Sequence, residues 1–337
     1  MKRKMISVIL AGVMAIALAA CGGSADSAAA TSSAPAEETE AASEETKETE
    51  EAASEATEET ASEATEEAAS EATEEAASEE TGNSGVDDGV LSVAMECAYA
   101  PYNWAQPDDS NDSVPIADSN QYANGYDIMM AKKICEANGW ELEVHQLDWD
   151  SLVPAVQSGQ VDCVIAGQSM TAERAEQVDF AGPYLYASIV CLVKQDSAFA
   201  DAAGKSDLAD GTCTSQQGTI WYDNCLPQIE GAKVQEAAES APAMLMALET
   251  GQVDFVCCDM PTAQGALVAY PDMKILDFAG SDDDFEVSDE DINIGISVRK
   301  GNTVLKDAID AVVGEMTADD FNAMMAEATA IQPLSEE

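Results

Sequence analysis

The order of hydrophobic and polar positions divides this 337-residue chain into three parts. A basic Met-Lys-Arg-Lys start is followed by an almost unbroken apolar run at residues 5–18. Residues 22–86 consist mainly of Ala, Ser, Thr and Glu and contain no aromatic residue. From residue 89 onward, apolar runs of strand length alternate with amphipathic stretches of helix length, which predicts a folded α/β domain.

One helix–glycine–strand unit occurs twice in that domain. Residues 158–167 read SGQVDCVIAG, and residues 250–259 read TGQVDFVCCD. Each follows a helix pattern, with Asp150-Ser151 as the expected N-cap in the first copy and Ser240 in the second. The apolar half of each unit is typical of a strand buried in a parallel sheet. The duplication predicts two similar α/β lobes; chance similarity of two αβ units is the alternative.

The remaining elements predict how the chain passes between the lobes. Strands are expected at residues 91–95 and 142–145, a helix at 128–137, and closing helices within 307–328. Apolar segments at 190–193 and 294–298 are expected to be two crossover strands that form a hinge. The predicted boundaries are 89–193 and 297–337 for lobe 1 and 194–296 for lobe 2.

The leader predicts an exported, lipid-anchored protein. Its apolar run is shorter than the roughly 20 residues of a membrane span, and small residues precede Cys21, as in a signal peptide that ends at a lipobox. We expect residues 1–20 to be removed and Cys21 to carry lipid on the extracytoplasmic face of the cell membrane. An ordinary cleavage site with an incidental cysteine is the alternative.

Residues 21–88 are expected to be a disordered acidic tether. Residues 50–81 repeat an eight-residue unit of Glu, Ala, Ser and Thr. Such a unit has no apolar face whose burial could offset the conformational entropy lost on folding. Cation binding by the glutamates is the alternative function for this segment.

Charge excludes some classes of partner. The formal net charge of the chain is −51, and residues 87–337 contain 45 acidic and 10 basic residues, a net charge of −35. So acidic a surface argues against nucleic acid or anionic lipid as a partner, since both require cationic patches. Within this range only Arg174 and Arg299 are arginines.

Candidate ligand-binding residues follow the two repeated strands. Gly167 ends the first unit and is followed by Ser169 and Arg174, whereas Asp259 ends the second. In open α/β sheets ligands bind beyond the carboxyl ends of the strands, here between the lobes. Arg174 could hold the carboxylate of an α-amino acid, and Asp259 could accept hydrogen bonds from its ammonium. The alternatives are a surface salt bridge for Arg174 and a helix N-cap ahead of Pro261 for Asp259.

Short motifs follow these elements in a fixed order. They are Ala98-Tyr99-Ala100-Pro101-Tyr102, Gly125-Tyr126-Asp127, Trp149-Asp150, Gly159-Gln160-Val161-Asp162, the 167–174 loop, Val178-Asp179-Phe180 with Pro183-Tyr184, Gln217-Gly218-Thr219, and residues 254–259. With these motifs, residues 90–330 resemble the bacterial extracellular solute-binding proteins of family 3, the amino-acid-binding subunits of ABC importers. The resemblance implies a two-lobed, type II periplasmic-binding-protein-like α/β fold and delivery of an amino acid to an ABC permease.

The resemblance also implies roles for individual residues. The ligand carboxylate is expected at Arg174, assisted by the hydroxyl of Ser169 and by backbone N–H groups near Thr219. The ligand ammonium is expected at Asp259, assisted by a carbonyl near Gly167. Aromatic walls of the side-chain pocket are expected from Tyr99, Tyr102 and Trp149. We expect a monomer.

Two features depart from the family pattern. Residues 103–124 are longer than the usual link, and their cluster of Asp108, Asp109 and Asp112 lacks the Gly and bidentate Glu of a Ca²⁺ loop, so a solvated loop is favoured over a metal site. Glu96 stands where family members often carry a shorter polar residue. Its carboxylate would either pair with a cationic ligand side chain, such as lysine or arginine, or accept a hydrogen bond from a neutral polar ligand.

Cysteine and histidine usage argues against a metal or haem site. His145 is the only histidine, and no pair of C-x-x-C motifs occurs. Besides Cys21 there are eight cysteines, of which Cys213 and Cys225 are the one pair considered for a disulfide. No cofactor or metal is expected.

An enzyme and an extracellular ligand sensor are the two other classes of function that the fold could serve. Relatives of this family act as dehydratases on the same fold, but an enzyme would need a general acid, and only Glu96 or Glu173 could serve. An extracellular ligand sensor would need a kinase or cyclase region, and none is expected between the last predicted helix and Glu337. The sequence therefore predicts a binding protein without catalytic residues.

Overall fold

The structure, a computed structural model, describes residues 86–333. The predicted signal peptide, the lipidated Cys21 and nearly all of the predicted tether lie outside the described residues. Among residues 86–333, none of the helices combines the length and the apolar character that a membrane span requires.

The described chain alternates strands and helices, as the hydrophobic pattern predicts. The strands are β1 (Val90–Met95), β2 (Ala98–Tyr99), β3 (Asn103–Gln106), β4 (Val114–Pro115), β5 (Tyr122–Asn124), β6 (Glu141–Gln146), β7 (Cys163–Val164), β8 (Val178–Tyr186), β9 (Ile189–Lys194), β10 (Thr212–Thr214), β11 (Lys233–Val234), β12 (Phe255–Asp259), β13 (Met273–Leu276) and β14 (Asn293–Arg299). The α-helices are α1 (Tyr126–Asn138), α2 (Trp149–Ser158), α3 (Ala172–Gln177), α4 (Ala241–Glu249), α5 (Met260–Ala269), α6 (Asp289–Ile292), α7 (Thr303–Val313) and α8 (Ala318–Ile331).

The first lobe is built on a mixed five-stranded sheet with the order β6-β1-β7-β14-β8. Strand β1 is parallel to β6 and β7, and β14 is antiparallel to β7 and β8. Helices α1, α2, α7 and α8 bury their apolar faces in the core of this lobe, through side chains such as Ile128, Leu152, Ile309 and Phe321. The closing helices expected within 307–328 therefore pack on the first lobe, as predicted.

The second lobe is built on another mixed sheet, with the order β11-β10-β12-β9-β13. Successive residues of β9 point to opposite faces, as the two-residue period of a strand requires. Val190 and Leu192 join the core under α4 and α5, whereas Cys191 and Val193 join the core on the other face. Because both faces are covered, the strands read as continuous apolar runs in the sequence.

The repeated unit is reproduced in three dimensions. In the first lobe the carboxylate of Asp162 accepts hydrogen bonds from the backbone N–H (2.9 Å) and the hydroxyl (2.5 Å) of Ser92 on β1. In the second lobe Asp254 accepts the same pair from Thr212 on β10, at 2.8 and 2.7 Å. Each aspartate thus ties its own unit to the neighbouring parallel strand. The duplication is structural, not a chance similarity of sequence.

Local boundaries of the unit differ slightly from the prediction. Helix α2 begins at Trp149, so its N-cap is Asp148 and not Asp150-Ser151. The predicted cap Ser240 is correct, since its side chain accepts a hydrogen bond from the backbone N–H of Ala243. The first apolar run forms ladder pairs only at Cys163–Val164, and the Ile165 N–H still donates to the Ala94 carbonyl of β1 at 3.2 Å.

The two segments expected to cross between the lobes each belong to one sheet. Strand β9 pairs with β12 and β13 in the second sheet, and β14 pairs with β8 in the first. The chain therefore changes sheet between Tyr186 and Ile189 and again just before Asn293. These positions lie a few residues before the predicted boundaries at 194 and 297, because an apolar run does not reveal which sheet its backbone joins.

The long link at 103–124 is more ordered than the solvated loop that was expected. It forms most of a four-stranded antiparallel sheet with the order β2-β3-β5-β4, in which Trp104 is buried. The side-chain amide of Gln106 donates to the carbonyls of Asp108 (3.0 Å) and Ser110 (2.9 Å). The acidic stretch itself is exposed, and Lys132 pairs with Asp112 at 2.6 Å. The Lys132 ammonium thus supplies the positive charge next to this cluster.

The eight cysteines of residues 86–333 are buried free thiols, Cys213 and Cys225 among them. Within the same range, no group of three or more His, Cys, Asp or Glu side chains is arranged to hold a metal ion. The thiols of the second lobe act as small apolar side chains of its core.

Candidate ligand-binding site

Contacts between the two lobes bring the predicted site residues together at the ends of their strands. Glu96 follows β1, Gly167 follows β7, and Asp259 ends β12. Hydrogen bonds that join the two lobes include Tyr99 to Asp259, Arg174 to Gly218, Gln216 to Glu96, and Gln217 to Asp150. Of the predicted residues, Glu96, Tyr99, Arg174 and Asp259 thus take part in contacts between the lobes.

Arg174 spans this space from the short helix α3, whose N-cap Thr171 accepts a hydrogen bond from the Arg174 N–H. Its guanidinium donates to the carbonyl of Ser169 at 2.9 Å and to the carbonyl of Gly218 at 2.5 Å. The guanidinium carbon also lies 5.4 Å from the ring centroid of Trp149, within cation–π range. Burial lowers the pKa of Arg174 to about 10, so the group is cationic at neutral pH.

A cavity of about 550 Å³ opens beside this arginine. It is lined by Trp149, Gln168, Arg174 and Thr219. Its volume lies in the range of small-molecule sites. Four acidic side chains also belong to the lining, namely Asp150, Glu173, Asp223 and Asp291, whereas Glu96 and Asp259 do not. Arg174 is thus the one basic residue in a lining that carries four acidic residues.

Asp259 is nearly fully buried, with 1% of its surface exposed. Its carboxylate accepts hydrogen bonds from the backbone N–H and the hydroxyl of Thr262, both at 2.9 Å, and caps α5. It also accepts from the hydroxyls of Tyr99 (2.7 Å) and Tyr102 (3.3 Å) in the first lobe. Burial raises the pKa of Asp259, and the hydrogen bonds from Thr262 and Tyr99 oppose that rise. The helix-cap alternative is thus correct, and the same carboxylate faces the other lobe.

The predicted aromatic residues lie next to the two charged residues, with Trp149 beside Arg174 and with Tyr99 and Tyr102 beside Asp259. The rings of Tyr99 and Tyr102 stack with centroids 4.8 Å apart. Gly167 has a φ of +65°, and a Cβ there would lie 2.9 Å from the Tyr99 ring. Glycine is therefore required where the loop passes under these rings.

The loop that carries Ser169 is hydrogen-bonded to the start of β14, where the chain returns to the first sheet. Ser169 forms an antiparallel bridge with Ile294, and Met170 N–H donates to the carbonyl of Asn293 at 2.8 Å. Across the cleft, the hydroxyl of Thr219 donates to the carbonyl of Gln216 at 2.7 Å and holds the second-lobe loop in a tight turn. Both loops predicted to touch a ligand carboxylate are thus fixed by local hydrogen bonds.

Glu96 is buried, with 7% of its surface exposed. Gln216 of the second lobe donates to its carboxylate at 3.3 Å. Burial raises the pKa of Glu96 to about 7, and the nearby Asp148 and Asp150 add to the rise. Gln216 was not among the predicted site residues, because it precedes the Gln-Gly-Thr motif and its contact with Glu96 spans 120 residues.

Residues 91–327 match the family model of the bacterial extracellular solute-binding proteins, family 3. The chain belongs to this family. Among similar curated proteins, the probable histidine-binding protein of Campylobacter jejuni is 29% identical over 54% of this chain and 65% of its own length. The arginine-binding extracellular protein ArtP of Bacillus subtilis is 31% identical over 41% of this chain and 49% of its own length. The match thus spans less than two thirds of these two relatives.

Solved structures of the family share the fold over a longer part of the chain. An ancestral arginine-binding protein bound to arginine is 28% identical, with a TM-score of 0.56 over 71% of this chain and 97% of its own. An ancestral amino-acid-binding protein described as a precursor of cyclohexadienyl dehydratase is 25% identical, with a TM-score of 0.58 over 72% and 96%. The predicted family and the predicted two-lobed α/β fold are confirmed.

Proposed function

We propose that this protein is the substrate-binding component of an ABC importer and captures a free α-amino acid between its lobes. The observation that carries the proposal is that a guanidinium, Arg174, and a buried carboxylate, Asp259, belong to opposite lobes and each hydrogen-bonds to the other lobe. An α-amino acid carries the complementary pair of charges on one carbon. Family membership and relatives named for arginine and histidine binding support the same conclusion.

The two ends of the ligand take different partners in this proposal. Its carboxylate binds the Arg174 guanidinium, with the Ser169 hydroxyl and the N–H groups near Thr219 as further donors. Its ammonium donates to Asp259 and to the carbonyl of Gly167. Both charged residues already hydrogen-bond across the lobes, so ligand binding and lobe contact use the same groups. A ligand that satisfies both ends stabilises the closed arrangement.

The ligand side chain is proposed to be cationic. Glu96 is a buried carboxylate, and the negative charges of Asp148 and Asp150 add to the rise of its pKa. A lysine- or arginine-like side chain would supply the missing positive charge, and the acidic rim of the cavity attracts the same class of solute. A neutral polar side chain is the alternative, since the Gln216 amide already gives Glu96 one hydrogen bond.

The experiment that tests the proposal is a thermal-shift screen of the full chain against the twenty amino acids, followed by calorimetric titration. We expect the best ligand to bind far more tightly than its amide or its N-acetyl form, each of which lacks one of the two charges. Equal affinity for the parent and both blocked forms would contradict the amino-acid proposal.

Attachment to the membrane through lipid on Cys21 and the 21–88 tether is proposed from the leader sequence. We expect Cys21→Ala to abolish lipidation, so that the protein is either unprocessed or released. Cell fractionation combined with fatty-acid labelling measures both properties. A Cys21→Ala protein that is still processed, acyl-labelled and membrane-bound would contradict the anchor.

A dehydratase is the second candidate function. It is favoured by Glu96, since a carboxyl group with a pKa of about 7 has the properties of a general acid at neutral pH. The similarity of this chain to an ancestral amino-acid-binding protein described as a precursor of cyclohexadienyl dehydratase is a second reason to test this function. Incubation with a cyclohexadienyl substrate, followed by detection of the aromatic product, distinguishes turnover from stoichiometric binding.

A further inference from the structure

A chain of buried hydrogen bonds lies behind the ligand side of the first lobe and centres on Asp127. This residue is 0% exposed and lies in the first turn of α1. One carboxylate oxygen accepts a hydrogen bond from the side-chain amide of Asn103 at 2.7 Å, and the other accepts from the hydroxyl of Tyr184 at 2.6 Å. Each of these two partners reaches a different loop of the proposed site.

Tyr184 connects Asp127 to the loop after β7. While its hydroxyl donates to Asp127, its oxygen accepts a hydrogen bond from the Gly167 N–H at 3.0 Å. The other side of Gly167 lies against the rings of Tyr99 and Tyr102. The peptide plane at Gly167 is therefore held from both sides, which fixes the direction of the neighbouring carbonyls.

Asn103 connects Asp127 to the loop after β1. Its side-chain oxygen accepts a hydrogen bond from the Cys97 N–H at 2.6 Å. Cys97 has a φ of +53°, a left-handed conformation that is unfavourable for a residue with a side chain and persists only where its surroundings enforce it. Because Cys97 directly follows Glu96, this hydrogen bond helps to set how the backbone turns after Glu96.

We propose that Asp127 and Tyr184 are positioning residues for ligand binding, which fix the backbone at Cys97 and Gly167 from inside the first lobe. The inference rests on the proposed function, since Glu96 and Gly167 contact a ligand only if that function is correct. A role in stability alone explains the arrangement poorly, because burying a carboxylate is costly and an apolar pair of similar volume would pack the same space. The hydrogen bonds instead end on the two ligand loops.

Tyr126 offers a matched control for Tyr184. Both are fully buried tyrosines, their rings stack with centroids 5.6 Å apart, and the Tyr126 hydroxyl also donates a buried hydrogen bond, to the Tyr184 carbonyl. Tyr184→Phe removes the link between Asp127 and Gly167, whereas Tyr126→Phe removes a hydrogen bond that does not involve either loop. We expect comparable losses of melting temperature from the two variants. Affinity should fall about tenfold or more for Tyr184→Phe, and by about threefold at most for Tyr126→Phe.

An exchange of the acid and the amide provides a rescue. Asp127→Asn alone leaves one side-chain oxygen for two donors, so either Asn103 or Tyr184 loses its acceptor. Asn103→Asp alone places two carboxylates side by side with no donor between them. The double variant moves the charge but restores an acceptor for Tyr184, an acceptor for the Cys97 N–H and a hydrogen bond between the two side chains. We expect each single variant to bind about tenfold more weakly and the double variant to return to within about threefold of the wild type.

The experiment is calorimetric titration of the full chain and these variants with the amino acid that gives the largest thermal shift, L-arginine in the expected case. Amide hydrogen exchange adds a local readout: Tyr184→Phe should raise exchange at Gly167 more than across β1 and β8. The positioning role is overturned, and the proposed function is left intact, by either of two results in which the wild type still binds. One is an equal loss of affinity for Tyr184→Phe and Tyr126→Phe; the other is no rescue in the double variant. Failure of the wild type to bind any amino acid overturns both.

Discussion

Replacing either Arg174 or Asp259 by alanine is expected to weaken amino-acid binding by roughly 30- to 5,000-fold, the effect of losing one partner of a buried, hydrogen-bonded charge pair. In each variant one charged end of the ligand would be buried without its counter-charge. The loss should be specific to that end: Arg174→Ala should bind the amide almost as well as the free amino acid, and Asp259→Ala should do the same with the N-acetyl form. Calorimetric titration of the two variants with the free amino acid, its amide and its N-acetyl form measures all six affinities.

The two substitutions differ in what they do to the fold. Asp259 caps α5, so its removal is expected to cost about 0.5–2 kcal/mol of stability besides the ligand contact. Asp259→Asn keeps an oxygen that can cap α5 through the Thr262 N–H, but it removes the charge and replaces the other accepting oxygen, which faces the hydroxyls of Tyr99 and Thr262, by a donor. It should therefore lose affinity while α5 stays capped. Arg299→Ala is the control for Arg174→Ala, since Arg299 lies at the end of β14 and outside the proposed site. An Arg174→Ala protein with wild-type affinity would contradict the proposed clamp.

Much of the fold can be predicted because the repeated unit is a local pattern. Helix, glycine and strand follow each other within about twenty residues, and the aspartate of each copy makes the same pair of hydrogen bonds, Asp162 to Ser92 and Asp254 to Thr212. The position at which the chain changes sheet is a different kind of property. It depends on which strands pair, and an apolar run such as residues 190–193 is compatible with either sheet.

The 103–124 segment shows a second limit of sequence patterns. Its buried positions include Asn103, Gln106 and Asn124, which are polar and read as loop residues. They can be buried because each has hydrogen-bond partners: Gln106 and Asn124 bond to each other and to backbone carbonyls, and Asn103 bonds to Asp127 and to the Cys97 N–H. No hydrophobic period marks such a sheet.

The charged residues of the proposed site can be named from the sequence, but their contacts cannot. Strand ends point to Arg174 and Asp259, since ligands bind beyond the carboxyl ends of strands in α/β folds. The hydrogen bond from Tyr99 to Asp259 joins residues 160 positions apart, and the one from Gln216 to Glu96 joins residues 120 apart. Such contacts depend on how the lobes meet, which no local pattern encodes.

Substitution of Glu96 by glutamine is expected to weaken binding of L-arginine by roughly 30-fold or more at pH 8, because the cationic side chain would lose its only buried counter-charge. The affinity of a neutral amino acid such as glutamine should change much less. Asp150→Asn is the control, since Asp150 is an exposed acid of the cavity rim and asparagine keeps an oxygen for the hydrogen bond from Gln217. This variant should alter affinity by about threefold at most. Loss of affinity in Asp150→Asn but not in Glu96→Gln would place the counter-charge at the rim.

The same residue predicts a pH dependence whose direction follows from its raised pKa of about 7. A cationic ligand binds the ionised carboxylate, so the wild-type affinity for L-arginine should fall as pH decreases below about 7, by up to tenfold per pH unit, and level off above it. For the ligand-free protein the pKa is higher in the folded than in the unfolded chain, so Glu96 destabilises the fold increasingly as pH rises from 4.5 to about 7. Glu96→Gln should therefore raise the melting temperature at pH 8 but not at pH 4.5, and it should remove the pH dependence of binding in this range. Titration of both proteins with L-arginine between pH 5.5 and pH 8 measures this; equal pH profiles would show that Glu96 is not the partner of the ligand side chain and would favour the neutral polar ligand.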